Sequence, residues 1–157
     1  MIVLHVPNFE GITVYRDGNI WFLLKKELKF FDRVLSECYE GDTLILKIES
    51  HQTLPIETEI LFQNLKRTLK IDKTFSLRHC IYFVDNDVIK ITDNPFYIFN
   101  GKVSKIYYND KLIGRVKISI SADWGRKFTI NYEPDVEEEI IYYSTICYLI
   151  GCNVLVT

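Results

Sequence analysis

A chain of 157 residues with net charge −2, a 48% hydrophobic share and ten each of Tyr and Phe suits one domain with its own apolar core, and excludes a disordered segment or a scaffold stapled by metal or disulfides. Nineteen Lys and Arg against 21 Asp and Glu give no overall pull toward nucleic acid or an acidic membrane, so any such binding has to rest on a local patch. Mean hydropathy of +0.02, the lack of a bilayer-length apolar run and an amino terminus without a basic and apolar leader make the expectation a cytoplasmic domain over residues 1–157, peripheral at the membrane if its ligand is lipid.

Ile12–Arg16 and Ile20–Lys25 are β-rich runs on either side of Asp17-Gly18-Asn19, which predicts a hairpin. Leu28–Cys38 turns at Glu40-Gly41-Asp42 into Thr43–Glu49, where Leu44, Leu46 and Ile48 alternate toward one face, a second hairpin. Residues 56–71 read two ways. Ile56, Thr58, Ile60 and Phe62 alternate as in a strand, whereas Leu61, Leu65 and Leu69 have helical spacing; the strand is the preferred reading. Thr74–Val84 and Val88–Thr92 flank the turn Asp85-Asn86-Asp87, and Asp93-Asn94-Pro95 ends that unit. Phe96–Phe99 and Val103–Tyr108 flank Asn100-Gly101, the strongest hairpin signal in the chain, and Asn109-Asp110 leads into Leu112–Ile120. Lys127–Tyr132 is the last strand before a helix, and Asn153–Thr157 is expected to close the sheet after it. These are about ten strands joined by short turns, which makes them antiparallel, since parallel pairs need long crossovers.

Residues 135–150 predict the helix. Asp135 is placed to cap it with Glu138 three residues on, Glu137 to Glu139 put negative charge at the positive end of the dipole, and Gly151 is placed to stop it. From Ile140 to Ile150 no residue is charged, so the helix is apolar on every face and has to be surrounded, by protein rather than lipid because it is too short to span. The fold class is therefore mainly β: an antiparallel barrel whose closure removes sheet edges and whose interior takes the helix. A sandwich offers no place for such a helix.

The repeated hairpins (Tyr15-Arg-Asp-Gly-Asn-Ile20 and Tyr107-Tyr-Asn-Asp-Lys-Leu-Ile-Gly-Arg115), then Arg126-Lys-Phe-Thr-Ile130, then Pro134-Asp135 leading into an apolar helix, resemble the tubby-like superfamily of tubby carboxy-terminal domains, phospholipid scramblases and LURP-one-related proteins. The resemblance implies a closed barrel of about twelve strands around a buried helix, which sets the expected count at about ten to twelve, and, from the tubby domains, phosphoinositide binding through basic side chains. The cysteine-rich and acidic calcium-binding segments of scramblases have no counterpart here.

Little in the chain points to catalysis. His5, His51 and His79 have no nucleophile or acid at a catalytic spacing, and His79 and Cys80, adjacent on a strand, point to opposite faces. Cys38, Cys80, Cys147 and Cys152 make no Cys-x-x-Cys, the seven glycines are isolated, and Glu137 to Glu139 serve the helix start. The expectation is no enzyme, cofactor or metal. Basic residues fall in three groups: Lys25, Lys26, Lys29 and Arg33; Lys66, Arg67, Lys70 and Lys73; and Lys102, Lys105, Lys111, Arg115 and Lys117. Most such charge is solvated surface. The first group, with Phe30, Phe31 and the tryptophans Trp21 and Trp124 as apolar partners, is the candidate anion or headgroup site, and a non-enzymatic binding or adaptor module for anionic lipid is the expected function. The alternatives are a small protein-partner inhibitor such as an immunity protein, and a lipocalin-like carrier with an open interior.

Overall fold

The computed structural model describes residues 1–7, 11–29, 32–51, 57–72, 79–92, 104–120, 122 and 125–155. Among them are twelve strands and one helix: β1 (Ile2–Val6), β2 (Ile12–Arg16), β3 (Asn19–Lys29), β4 (Arg33–Glu40), β5 (Thr43–His51), β6 (Glu57–Gln63), β7 (Leu69–Ile71), β8 (His79–Val84), β9 (Asp87–Thr92), β10 (Ser104–Tyr108), β11 (Lys111–Ile120), β12 (Arg126–Tyr132) and α1 (Glu138–Leu155). The sheet order is β6-β5-β4-β3-β2-β1-β12-β11-β10-β9-β8-β7. Every consecutive pair of strands forms an antiparallel ladder except β6 and β7, and β1 joins the two ends of the sequence by pairing with both β2 and β12. The result is a nearly closed barrel with a single seam between β6 and β7.

Alternate connections fall at the same end of an antiparallel barrel, and the two ends differ. At one end the strands are joined by two-residue turns at Asp17-Gly18, Gly41-Asp42, Asp85-Asn86 and Asn109-Asp110. Asp17 (φ 50°) and Gly18 (φ 85°), like Asn109 (φ 45°) and Asp110 (φ 66°), are both left-handed, the conformation whose twist matches paired strands and which Gly, Asn and Asp adopt most readily. We call this the tight end. At the other end the strands are separated by longer stretches, up to the eleven residues 93–103.

The helix runs inward from the tight end. Residues 143–151 are buried without interruption, so every face of α1 is covered, with Ile146, Cys147 and Leu149 fully enclosed among β-strand side chains such as Leu4, Ile12 and Ile106. Tyr148 packs edge-on to Phe128 at 5.9 Å. The polar residues inside are satisfied locally: Ser144 Oγ donates to the Ile140 carbonyl (2.6 Å), Thr145 Oγ1 donates to that of Ile141 (2.7 Å), and both hydroxyls lie within hydrogen-bond distance of the Tyr132 hydroxyl (2.8 and 2.9 Å).

Several expectations need correction. The helix starts at Glu138 rather than Asp135, whose carboxylate instead meets Lys111 at 2.9 Å. Gly151 does not stop it: α1 continues to Leu155, so residues 153–155 are helical and not a closing strand. A methyl group at Gly151 would stand 3.3 Å from the Tyr82 hydroxyl, so this glycine makes room for the helix against β8 instead of capping it. Closure comes from Ile2–Val6, whose Ile2, Leu4 and Val6 point inward. The run Leu28–Cys38 is divided between β3 and β4, which pair with each other from Lys29↔Arg33 onward. Residues 56–71 contain the strands β6 and β7 and no helix among the described residues, because Thr58 and Ile60 alternate with exposed Glu57 and Glu59. The run from Thr74 enters the described residues only at His79, and the predicted hairpin around Asn100-Gly101 lies outside them.

Candidate functional site

The first basic group lies on two adjacent strands, but not on one face. Lys25 and Lys29 share the outer face of β3, and Arg33 opens β4 opposite Lys29. Lys26 has the opposite parity and pairs with Ser36, which is fully buried, so it belongs to the inner face near the end of the strand. The outward charges are matched by acids. Lys29 meets Glu27 at 2.5 Å, Arg33 meets Glu49 at 3.0 Å, and Lys47 meets Glu37 at 3.0 Å. Lys25 stands opposite Glu37 in the register, with its ammonium 4.9 Å over the Tyr39 ring. The Tyr39 hydroxyl donates to Glu37 at 2.6 Å, and this bond, aided by Lys47, holds the Glu37 carboxyl below its ordinary range. The β3–β5 wall is a lattice of paired charges.

The opposite wall is different. β1, β10, β11 and β12 contain no acidic residue, and their outward positions carry Lys105, Arg115, Lys117, Lys127 and His5. The register fixes their spacing: Lys105 faces Arg115, Lys117 faces Thr129, Ser119 faces Lys127, and Lys127 faces His5. Lys105 to Lys117 and Lys117 to Lys127 are therefore diagonal neighbours, about 7–8 Å apart at the backbone. Arg115 turns to Glu133 and Lys111 to Asp135, both acids at the tight end. Lys105, Lys117 and Lys127 are exposed and have no salt-bridge partner among the described residues. Where β11 ends, Ile120 is 74% exposed and pairs with Arg126, but it has the parity of buried Val116 and so belongs to the inner face at the barrel rim, not to the face of the lysines. Of the third sequence group this wall collects Lys105, Lys111, Arg115 and Lys117; Lys102 lies outside the described residues, and Lys127 was not in any predicted group.

At the tight end, charged side chains anchor the first turns of α1. Arg16 makes two 2.7 Å bonds to the Glu138 carboxylate and lies 4.9 Å over the Trp21 ring, which in turn packs edge-on to Tyr142. Tyr142 donates to Glu40 at 2.9 Å. Arg67, from the connection between β6 and β7, bonds Asp85 (3.0 Å), Asp87 and the Val84 carbonyl (3.0 Å), with Glu139 at 3.8 Å, while its own N–H donates to the Tyr143 hydroxyl at 2.7 Å. Bonds from Tyr108, Arg67 and Asn109 hold the Asp87 carboxyl at about 2. Glu138 and Glu139 are thus ion-pair partners, and Arg67 of the second basic group is committed to structure.

The histidines do not converge. His5 lies on β1, His51 at the end of β5 sits 3.9 Å from both Asp32 and Glu49, and His79 opens β8. Cys38, Cys80 and Cys147 are buried thiols outside any disulfide; burial pushes Cys38 up to about 12 and raises Cys147 as well, which keeps both as unreactive small hydrophobes. Among the described residues no three His, Cys, Asp or Glu side chains gather as metal ligands, and no helix is long and apolar enough to cross a membrane. The buried part of α1 occupies the barrel interior. No protein-family model, curated protein or solved structure matches the chain.

Proposed function

We propose that this domain is a non-enzymatic module that docks on anionic lipid headgroups through the outer face of β1 and β10–β12. The observation that carries this reading is the diagonal of Lys105, Lys117 and Lys127 on four strands without an acid. Like charges at neighbouring sheet positions disfavour the fold by a few tenths of a kcal/mol or more each, a cost that a bound anion relieves. The tubby-like resemblance supports phosphate-bearing lipid as the anion.

Each basic residue near an anionic leaflet contributes about 1 kcal/mol. Three lysines therefore supply about 3 kcal/mol, roughly a hundredfold in affinity. Co-sedimentation with vesicles containing phosphatidylserine or a phosphoinositide, against neutral phosphatidylcholine vesicles, tests the proposal. Binding to the anionic vesicles that weakens with salt is the expected result. Absence of binding at low ionic strength, where screening is least, sinks it.

A further inference from the structure

The barrel's seam is the second feature with open chemistry. β6 forms a ladder with β5 and β7 forms one with β8, yet no ladder joins β6 to β7. At the tight end of the seam the Gln63 side chain bridges the two strands: its amide nitrogen donates to the Leu69 carbonyl (3.1 Å) and its amide oxygen accepts from the Leu69 N–H (2.8 Å). One amide group, with its donor and acceptor side by side, fills the gap as the backbone amide of an intervening strand would. Past that bridge the seam widens into a cleft of about 560 Å³ bordered by both strands, within the range of sites that hold drug-sized ligands.

We infer that this cleft binds an extended basic peptide as an added strand between β6 and β7. Open strand edges are templates for such pairing, with main-chain bonds giving affinity and alternate side chains giving selectivity. The selectivity is legible from the lining. Thr58 and Ile60 are half-buried on the inner face of β6, with Leu69 buried and Ile71 half-buried on β7, so every second residue of the guest meets an apolar floor. Glu57 and Glu59 point outward on β6, Glu59 directly opposite Glu49 on β5, and Asp72 follows β7; the lining's basic side chains are Lys70 and His51, the latter opposite Glu57. The guest's outward residues therefore meet mostly carboxylates, which selects Lys or Arg. A second copy's β6 would set Glu57 and Glu59 against their own kind, so charge disfavours self-pairing at this edge.

The test uses capped heptapeptides that alternate Lys with Val, and the same peptides N-methylated at alternate residues, read by fluorescence anisotropy and amide hydrogen exchange. Saturable binding, slowed exchange in β6 and β7, loss of binding on N-methylation, and about a tenfold weakening in the exposed-site double variant Glu57→Gln/Glu59→Gln are expected, with the thermal midpoint of that variant not lowered. Binding that survives N-methylation would mean charge attraction alone and overturns the inference, as does protection confined to other strands, or no binding at millimolar peptide. The lipid-docking reading is independent of this outcome, since it rests on the opposite wall.

Discussion

The β3–β5 wall and the β1, β10–β12 wall are built from the same kinds of strand and carry similar numbers of outward bases, yet they use them differently. On the first, Lys29, Arg33 and Lys47 each find a carboxylate within 3.0 Å. On the second, Lys105, Lys117 and Lys127 stand as diagonal neighbours with no acid on their strands. A paired surface charge is consumed by its neighbour and is worth little to either stability or binding. An array of like charges is mildly unfavourable to the fold and available to an external anion. Partner geometry, rather than the number of bases, separates a solvated face from a binding face.

Both walls rest on one core, and the largest expected effect comes from removing it. Ile146 is fully buried at the centre of α1. Ile146→Asp places an unpaired charge there at a cost of several kcal/mol, a large part of a domain's stability, and should abolish cooperative thermal unfolding; a retained melting transition near that of the parent protein would show that the helix is not enclosed.

A smaller effect follows from acid, and it reports on the tight end. The Asp87 carboxyl is held at about 2, below its ordinary 3.8, by bonds from Tyr108, Arg67 and Asn109. A lowered folded-state value means the stabilisation is complete above about pH 4 and is lost as pH falls toward 2. Denaturant midpoints measured across that window should drop, and Asp87→Asn should be less stable at neutral pH and show a shallower drop. An unchanged acid profile in the variant would assign the acid sensitivity elsewhere.

The smallest effect sharpens the comparison directly. Lys117→Gln relieves repulsion on the bare wall and should raise stability by a few tenths of a kcal/mol at low salt, whereas Lys29→Gln breaks a pair with Glu27 and should leave it unchanged or slightly lower. Chemical denaturation at two salt concentrations reads both, and the gain in Lys117→Gln should shrink as salt is added.

The fold was largely legible in the sequence because its determinants are local. Asp17-Gly18 and Asn109-Asp110 are residues that accept left-handed turns, Leu46 and Ile48 alternate with polar neighbours, and the absence of charge from Ile140 to Ile150 demands enclosure. Where the sequence reading failed, the cause was tertiary. Gly151 has the local mark of a helix stop, but its place against Tyr82 is set by packing. Ile2–Val6 is a five-residue alternation whose role as the closing strand depends on β12, more than a hundred residues away. The candidate site was less legible for the same reason. Lys25, Lys26, Lys29 and Arg33 are close in sequence, but a strand sends Lys26 to the other face and the sheet brings Glu37 and Glu49 alongside. Lys105, Lys117 and Lys127 come from three strands, and only their register makes them neighbours.

The central claim, that the bare wall and not the paired one meets lipid, is tested most directly by two matched charge reversals measured on the same anionic vesicles. Lys105→Glu/Lys117→Glu/Lys127→Glu should lose at least about a hundredfold in affinity, while Lys25→Glu/Lys29→Glu/Arg33→Glu, the same change in net charge on the opposite wall, should lose far less. Equal losses in the two variants would mean that net charge alone governs binding, and a larger loss in the second would place the lipid contact on the β3–β5 wall; either result contradicts the account.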